Sequence, residues 1–195
     1  MFAAKMNPRW ISPEEYLQRE DAATERHEYF KGEIFSTAGG THNHEMVGGN
    51  MFAALHRHAR GRGCTAYGSN MKILVKQNDL YTYPDAMLIC GQIEFAPGRK
   101  DIVTNPLLIV EVLSTSTQSY DRGDKFALYR HIPTFAHYLL ILVDQPQIEY
   151  HQKSNRGWLL TEIGGLEATL QLPELEFELP FTELYAGVDW LSDVG

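Results

Sequence analysis

Asn105-Pro106-Leu107-Leu108-Ile109-Val110-Glu111-Val112-Leu113-Ser114 is a run of large apolar residues with a single charge in its middle. Apolar on both alternating faces, it reads as a strand buried from two sides at the centre of an α/β sheet. Glu111 breaks the run. An isolated carboxylate in such a strand costs on the order of several kcal/mol, so it has to be protonated, paired with a cation or bound to a metal. A cation follows in Tyr120-Asp121-Arg122-Gly123-Asp124-Lys125-Phe126-Ala127-Leu128-Tyr129-Arg130. Asp121, Lys125 and Tyr129 recur at i, i+4 and i+8, which sets them on one face of a short helix.

Tyr83-Pro84-Asp85 runs straight into a second short apolar strand, Ala86-Met87-Leu88-Ile89-Cys90. Asp85 stands at its entrance, where Pro84 fixes the backbone and donates nothing to a ladder. Two acids on neighbouring strands and a nearby lysine make a minimal kit for Mg²⁺-assisted phosphodiester hydrolysis. Carboxylates hold a hard cation through oxygen, the cation neutralises phosphate and acidifies a water, and a lysine orients that water or stabilises developing charge. Spacing alone leaves a second reading open, in which Glu111 and Lys125 are a structural ion pair and Asp85 caps a turn.

The order of these blocks resembles the Uma2 family: Pro-Asp before a strand, then Asn-Pro-Leu-Leu-Ile-Val-Glu-Val-Leu-Ser, then Asp-Arg-Gly-Asp-Lys-Phe-x-x-Tyr. These are restriction-endonuclease-like proteins of the PD-(D/E)xK nuclease superfamily. The likeness extends to Glu28-Tyr29-Phe30-Lys31-Gly32-Glu33-Ile34, to a helix-opening His44, and to Trp158 with the acidic closing segment, so it covers nearly the whole chain. It implies a single α/β domain over residues 1–195 with a mixed central β-sheet flanked by helices. It implies a Mg²⁺- or Mn²⁺-dependent endonuclease acting on DNA, with Asp85, Glu111 and the Val112 carbonyl as metal ligands. Lys125 would position the water, Glu28 would assist, and Tyr129 would orient Lys125 or pack. The superfamily lysine stands two residues after the acid, a place held here by Leu113; the resemblance implies that it has migrated to Lys125. The rival reading is a non-catalytic nucleic-acid- or protein-binding module that keeps the nuclease scaffold.

Composition constrains the partners. The formal net charge of −8 runs against an ordinary nucleic-acid binder. Its distribution softens the objection: from His151 onward eight acids face only Lys153 and Arg156, whereas the stretch between Glu45 and Asp79 has no acid and carries Arg57, Arg60, Arg62, Lys72 and Lys76. Those five are candidates for phosphate contact, against the plainer reading of a solvated basic surface. No run is long or apolar enough to cross a membrane, and the start lacks the apolar region of a secretory signal. Cys64 and Cys90 make no disulfide framework and no Cys-x-x-Cys pair, so reduced thiols and a cytoplasmic location are expected. A homodimer is compatible with duplex cleavage, which needs two cuts.

The remaining chain reads around the site. Ile11-Ser12-Pro13-Glu14-Glu15-Tyr16 predicts a capped helix start. His27–Phe35 predicts a hairpin turning at Lys31-Gly32. A helix is expected from about Asn43 to Ala59, with Val47, Met51, Leu55 and Ala59 as its buried stripe. His42, His44, His56 and His58 suggest zinc at first sight, but His56 and His58 face apart on that helix. Met71–Val75 is a strand, Ile93–Thr104 a polar surface excursion, Ser114–Thr117 a loop and Ala136–Val143 a buried strand. A returning hairpin turns around Ser154–Gly157, and Phe181–Tyr185 closes with a short helix. No glycine-rich nucleotide loop and no nucleophile elbow is present.

Overall fold

The computed structural model describes residues 10–37, 40–114 and 118–190. The expected loop at Ser114–Thr117 falls partly outside these residues, and the stretch Met1–Arg9 wholly so. Helix α1 (Pro13–Ala22) opens as its sequence predicts, with the Ser12 side chain accepting from the Glu15 N–H at 3.2 Å and Pro13 in the first turn. Strands β1 (His27–Phe30) and β2 (Glu33–Ser36) form the first hairpin. Its two turn residues, Lys31 and Gly32, have φ of 45° and 92°, the left-handed pair that matches strand twist in a tight hairpin. Helix α2 (His42–Ala59) is capped by Thr41 and buries the predicted stripe together with Asn43 and Ala54.

Five strands follow: β3 (Cys64–Gly68), β4 (Lys72–Val75), β5 (Leu80–Thr82), β6 (Ala86–Cys90) and β7 (Ile102–Val103). The central run is β8 (Leu108–Leu113), buried at every position. After it come α3 (Gln118–Tyr120), a π turn over Asp121–Lys125, and α4 (Phe126–Tyr129). The chain ends in β9 (His137–Leu142), β10 (Gln147–Ser154), β11 (Gly157–Gly164), β12 (Thr169–Leu172), β13 (Phe177–Pro180) and α5 (Phe181–Leu184). No helix among the described residues is long and apolar enough to cross a membrane.

The strands form a five-stranded sheet in the order β2-β1-β5-β4-β7, a six-stranded sheet in the order β11-β10-β9-β8-β6-β3, and the hairpin β12-β13. Both larger sheets are mixed, because β8 pairs with β9 in parallel and β4 with β7 in parallel, while the other pairings are antiparallel. Apolar residues alternate to give three layers. Ile11, Tyr16, Tyr29, Leu74 and Ile102 pack α1 on the outer face of the five-stranded sheet. Ile73, Val75, Leu80, Ile109, Tyr129, Phe135 and Tyr138 fill the space between the sheets. Val47, Met51, Leu55, Val110 and Val112 join α2 to the far face of the six-stranded sheet.

Three expectations change. The 93–104 excursion is less superficial than its polarity suggests: Ile102 and Val103 are fully buried and Phe95 bridges to Val103. Cys64 and Cys90 are joined in a disulfide rather than left as thiols. The antiparallel register of β3 on β6 sets them directly opposite each other, a juxtaposition that the 26 intervening residues conceal in the sequence. Lys72 is 2% exposed and so is withdrawn from the predicted phosphate-binding surface. Strand alternation turns it with Leu74 toward α1, where its Nζ lies 5.2 Å from the ring centres of both Tyr16 and Tyr83. Burial pulls its pKa below the ordinary lysine value.

Candidate active site

The ladder between β6 and β8 sets the first pair of acids. Ala86 faces Val110, and the Asp85 N–H donates to the Val110 carbonyl at 3.1 Å, so Asp85 meets Glu111 at the next step. The Asp85 carboxylate turns back onto the strand and accepts the Val112 N–H through Oδ2 at 2.6 Å. That oxygen also lies 3.5 Å from His44 Nε2, at the opening of α2. Burial works against a charge on His44, but Asp85, Glu45 and the Val112 backbone outweigh it and hold its pKa above the ordinary histidine value.

Glu111 alternates with Val110 and Val112, so its side chain points the other way, into the space between the sheets. There the crossover from β8 to β9 delivers Lys125. Its Nζ lies 3.1 Å from Glu111 Oε1, 3.3 Å from Glu28 Oε1 and 3.6 Å from Asp121 Oδ1. Tyr129 OH donates to the same Glu111 oxygen at 2.7 Å. Thus the predicted helical face of Asp121, Lys125 and Tyr129 forms, across a π turn, a rare local widening that recurs at functional sites. Glu28 enters from β1, on the same side as Phe30, and its Oε1 also accepts the Thr82 hydroxyl from β5.

The Lys125 and Glu111 side chains are 7% and 5% exposed, so their electrostatics are those of an interior. Burial pushes the Glu111 carboxyl well above the ordinary range; Lys125 opposes this, Asp121 and Asp85 add to it, and the Tyr129 hydroxyl opposes it. Burial alone would discharge Lys125, but Glu111 and Glu28 outweigh it and its pKa ends well above the usual lysine value. Together the directions describe one firmly held positive charge among more carboxyl groups than it can neutralise.

Sequence reading singled out Asp85, Glu111, Lys125 and Glu28; the structure brings Glu111, Lys125 and Glu28 together at one end of the space between the sheets, while Asp85, across the ladder from Glu111, turns toward Val112 and His44. It adds His44, foreshadowed by its helix-opening position, and Asp121, foreshadowed by its spacing from Lys125. Thr82 carried no signal, because its approach to Glu28 depends on the non-local pairing of β1 with β5. Among the described residues no three His, Cys, Asp or Glu side chains already form a metal cage. Asp85, Glu111 and the Val112 carbonyl are nevertheless hard oxygen donors, and the ladder that pairs Ala86 with Val110 sets Asp85 across from Glu111. Such a set suits Mg²⁺ or Mn²⁺, which take few protein ligands and complete their shell with water and substrate phosphate.

The basic residues lie elsewhere. Arg57 is paired with Glu183, and Arg62 with Glu176 at 2.7 Å. Arg60 and Lys76 are exposed. Arg57 follows His44 by thirteen helical residues, about 20 Å along α2.

A cleft of about 420 Å³ adjoins the acids on the His44 side, lined by Gly48, Gly49, Phe52, Tyr67, Ser69 and Asp85 among others.

The family model for Uma2, described as "Putative restriction endonuclease", matches residues 13–182. The uncharacterized protein sll1609 of Synechocystis is 39% identical over 162 residues, covering 83% of this chain and 92% of its own. The uncharacterized protein slr1290 of the same organism is 35% identical over 179 residues, covering 91% and 93%. The crystal structure of a "putative nuclease belonging to DUF820" from Anabaena variabilis superposes with a TM-score of 0.71, covering 90% of this chain and 97% of that one at 16% identity. At that identity the likeness speaks for the fold, a restriction-endonuclease-like α/β architecture with mixed sheets flanked by helices. With a matching family model over most of its length and two relatives above 30% identity, the chain belongs to the Uma2 family of restriction-endonuclease-like proteins.

Proposed function

We propose that this protein is a Mg²⁺- or Mn²⁺-dependent endonuclease that hydrolyses DNA phosphodiester bonds. The observation that carries the reading is the position of Lys125. Although absent from the place two residues after the acid, the lysine returns from the crossover to lie 3.1 Å from Glu111, one ladder step from Asp85. Asp85, Glu111 and the Val112 carbonyl would hold the cation. When bound, it neutralises the phosphate and lowers the pKa of the attacking water. Lys125 Nζ orients that water and offsets the charge that develops on the phosphate oxygens. Glu28 and Asp121 hold the ammonium in place, and Tyr129 fixes the Glu111 carboxyl. Two copies, one to each strand, would make a double-strand break.

A second reading, a non-catalytic binding module on the same scaffold, draws on one specific feature: Lys125 is already engaged by three carboxylates, as a structural cation would be. Lys125→Met separates the two. On a plasmid and on labelled oligonucleotides with Mn²⁺, the parent is expected to cleave and the folded variant to lose cleavage by at least a hundredfold, the scale of a single general-acid–base or electrostatic contribution. Full cleavage by folded Lys125→Met would remove the catalytic role. A parent that cleaves nothing while binding DNA would favour the module.

A further inference from the structure

The cleft beside Asp85 has a chemical character of its own. Among the described residues no lysine or arginine lines it, and its charged wall residues besides His44 are the acids Glu45 and Asp85. A phosphate is therefore disfavoured inside it. The wall carries two half-buried aromatic side chains, Phe52 from α2 and Tyr67 from β3. Its helical side is made by Gly48 and Gly49, and a Cβ added at Gly49 would meet nothing within 4 Å. The result is an open cleft lined by glycines and by two aromatic side chains, adjoining a carboxylate of the proposed metal site. Its volume of about 420 Å³ lies within the range of small-ligand pockets.

We infer that this cleft receives one unstacked nucleobase of the strand being cut, placed against Phe52 and Tyr67 while the adjoining phosphate lies at Asp85 and Glu111. The inference rests on the nuclease reading for the position of the phosphate. The base is the part of a nucleotide that suits the slot: it is uncharged, flat, and stacks on aromatic rings irrespective of sequence. A base within a duplex stack has to be extruded to reach such a slot, so a single strand, or a duplex site whose base is already loosened by a mismatch or lesion, should be cut faster than an intact duplex.

The test begins with binding, in the intact protein and with Mn²⁺ present, because without a cation the Asp85 and Glu111 carboxylates would repel the phosphate of either probe. Deoxyadenosine 5′-monophosphate is titrated alongside deoxyribose 5-phosphate, which lacks the base. The parent is expected to bind the nucleotide at least tenfold more tightly than the sugar phosphate. Gly49→Leu fills the slot from an open position and exchanges a helix-weakening glycine for a helix former, so it should melt no lower than the parent. It should lose nucleotide affinity about tenfold or more, the scale of one base–aromatic stack. Phe52→Leu, which keeps an apolar side chain but removes the ring, should weaken binding in the same direction. Equal affinity for the two probes, no nucleotide binding at millimolar concentration, or unchanged binding by folded Gly49→Leu would each overturn the inference. Cleavage in Mn²⁺ then separates the two claims. If Gly49→Leu cuts single strands and duplexes as the parent does, the slot fails and the nuclease stands. Base-dependent binding with no cleavage of any strand would leave the slot standing and sink the nuclease.

Discussion

Lys125 and Glu111 lie 3.1 Å apart in a nearly dry space, yet their removal should have opposite effects. Loss of the lysine charge leaves Glu28, Glu111 and Asp121 facing one another without a cation. Lys125→Met should therefore lower stability by about 3–5 kcal/mol, the usual cost of breaking a buried ionic group on one side. Glu111→Gln relieves the excess of carboxyl groups and should melt at or above the parent temperature in metal-free buffer. If Asp85 and Glu111 hold Mn²⁺, the parent should gain melting temperature with added Mn²⁺ and Glu111→Gln should lose most of that gain, since only a ligand bound to the folded state produces it. A parent indifferent to millimolar Mn²⁺ in both calorimetric titration and melting would speak for a purely structural ion pair. His137 offers a pH test away from these acids. It is 2% exposed, with Nδ1 2.7 Å from the Tyr150 hydroxyl and Nε2 3.7 Å from Glu174, and burial holds its pKa below the ordinary value. Its unfolded form takes up a proton near pH 6.5, about the reference value, before its folded form does, so stability should fall as pH drops below that point. Denaturant melts between pH 7 and pH 5 should show a shallower fall for His137→Gln than for the parent; parallel curves would assign the acid sensitivity to other groups.

At the scale of elements, the first hairpin depends on a two-residue turn with both residues at positive φ. Gly32→Ala forces a Cβ into the Trp10 indole while keeping a φ of 92° that L residues rarely adopt. A loss of about 1–3 kcal/mol is expected, in the range of other strained backbone positions, and thermal melts would read it directly. A melting temperature equal to the parent's would mean that Trp10 moves aside and the turn relaxes. This hairpin, the capped α1, the stripe of α2 and the buried β8 were all legible in the sequence, because each is specified by neighbours a few residues apart. Lys125 was legible for the same reason: its helical spacing from Asp121 and Tyr129 survives the π turn. What stayed hidden depends on register between distant strands. Nothing local shows that Cys64 faces Cys90, that Lys72 lies between Tyr16 and Tyr83, or that Thr82 reaches Glu28. In the basic stretch, sequence showed the absence of nearby acids, but Glu176 and Glu183 arrive from more than a hundred residues away to pair with Arg62 and Arg57.

At the scale of the molecule, two mixed sheets enclose a layer that is apolar along most of its extent and ionic at one end. The acids at that end come from both sheets, Glu28 from the five-stranded one and Glu111 from the six-stranded one, while the cation comes from the crossover between β8 and β9. A parallel pair of strands requires such a crossover, so the link is part of the topology and not an appendage. The consequence concerns the order in which the chain is made. Glu28, Asp85 and Glu111 leave the ribosome before Lys125 exists, and until the crossover has been synthesised and folded, closing one sheet over the other would bury carboxylates with nothing to balance them. The arrival of a single ammonium group thus supplies the charge that favours closure, and a nascent chain stopped before residue 125 is expected to hold its halves together less firmly than the full chain does.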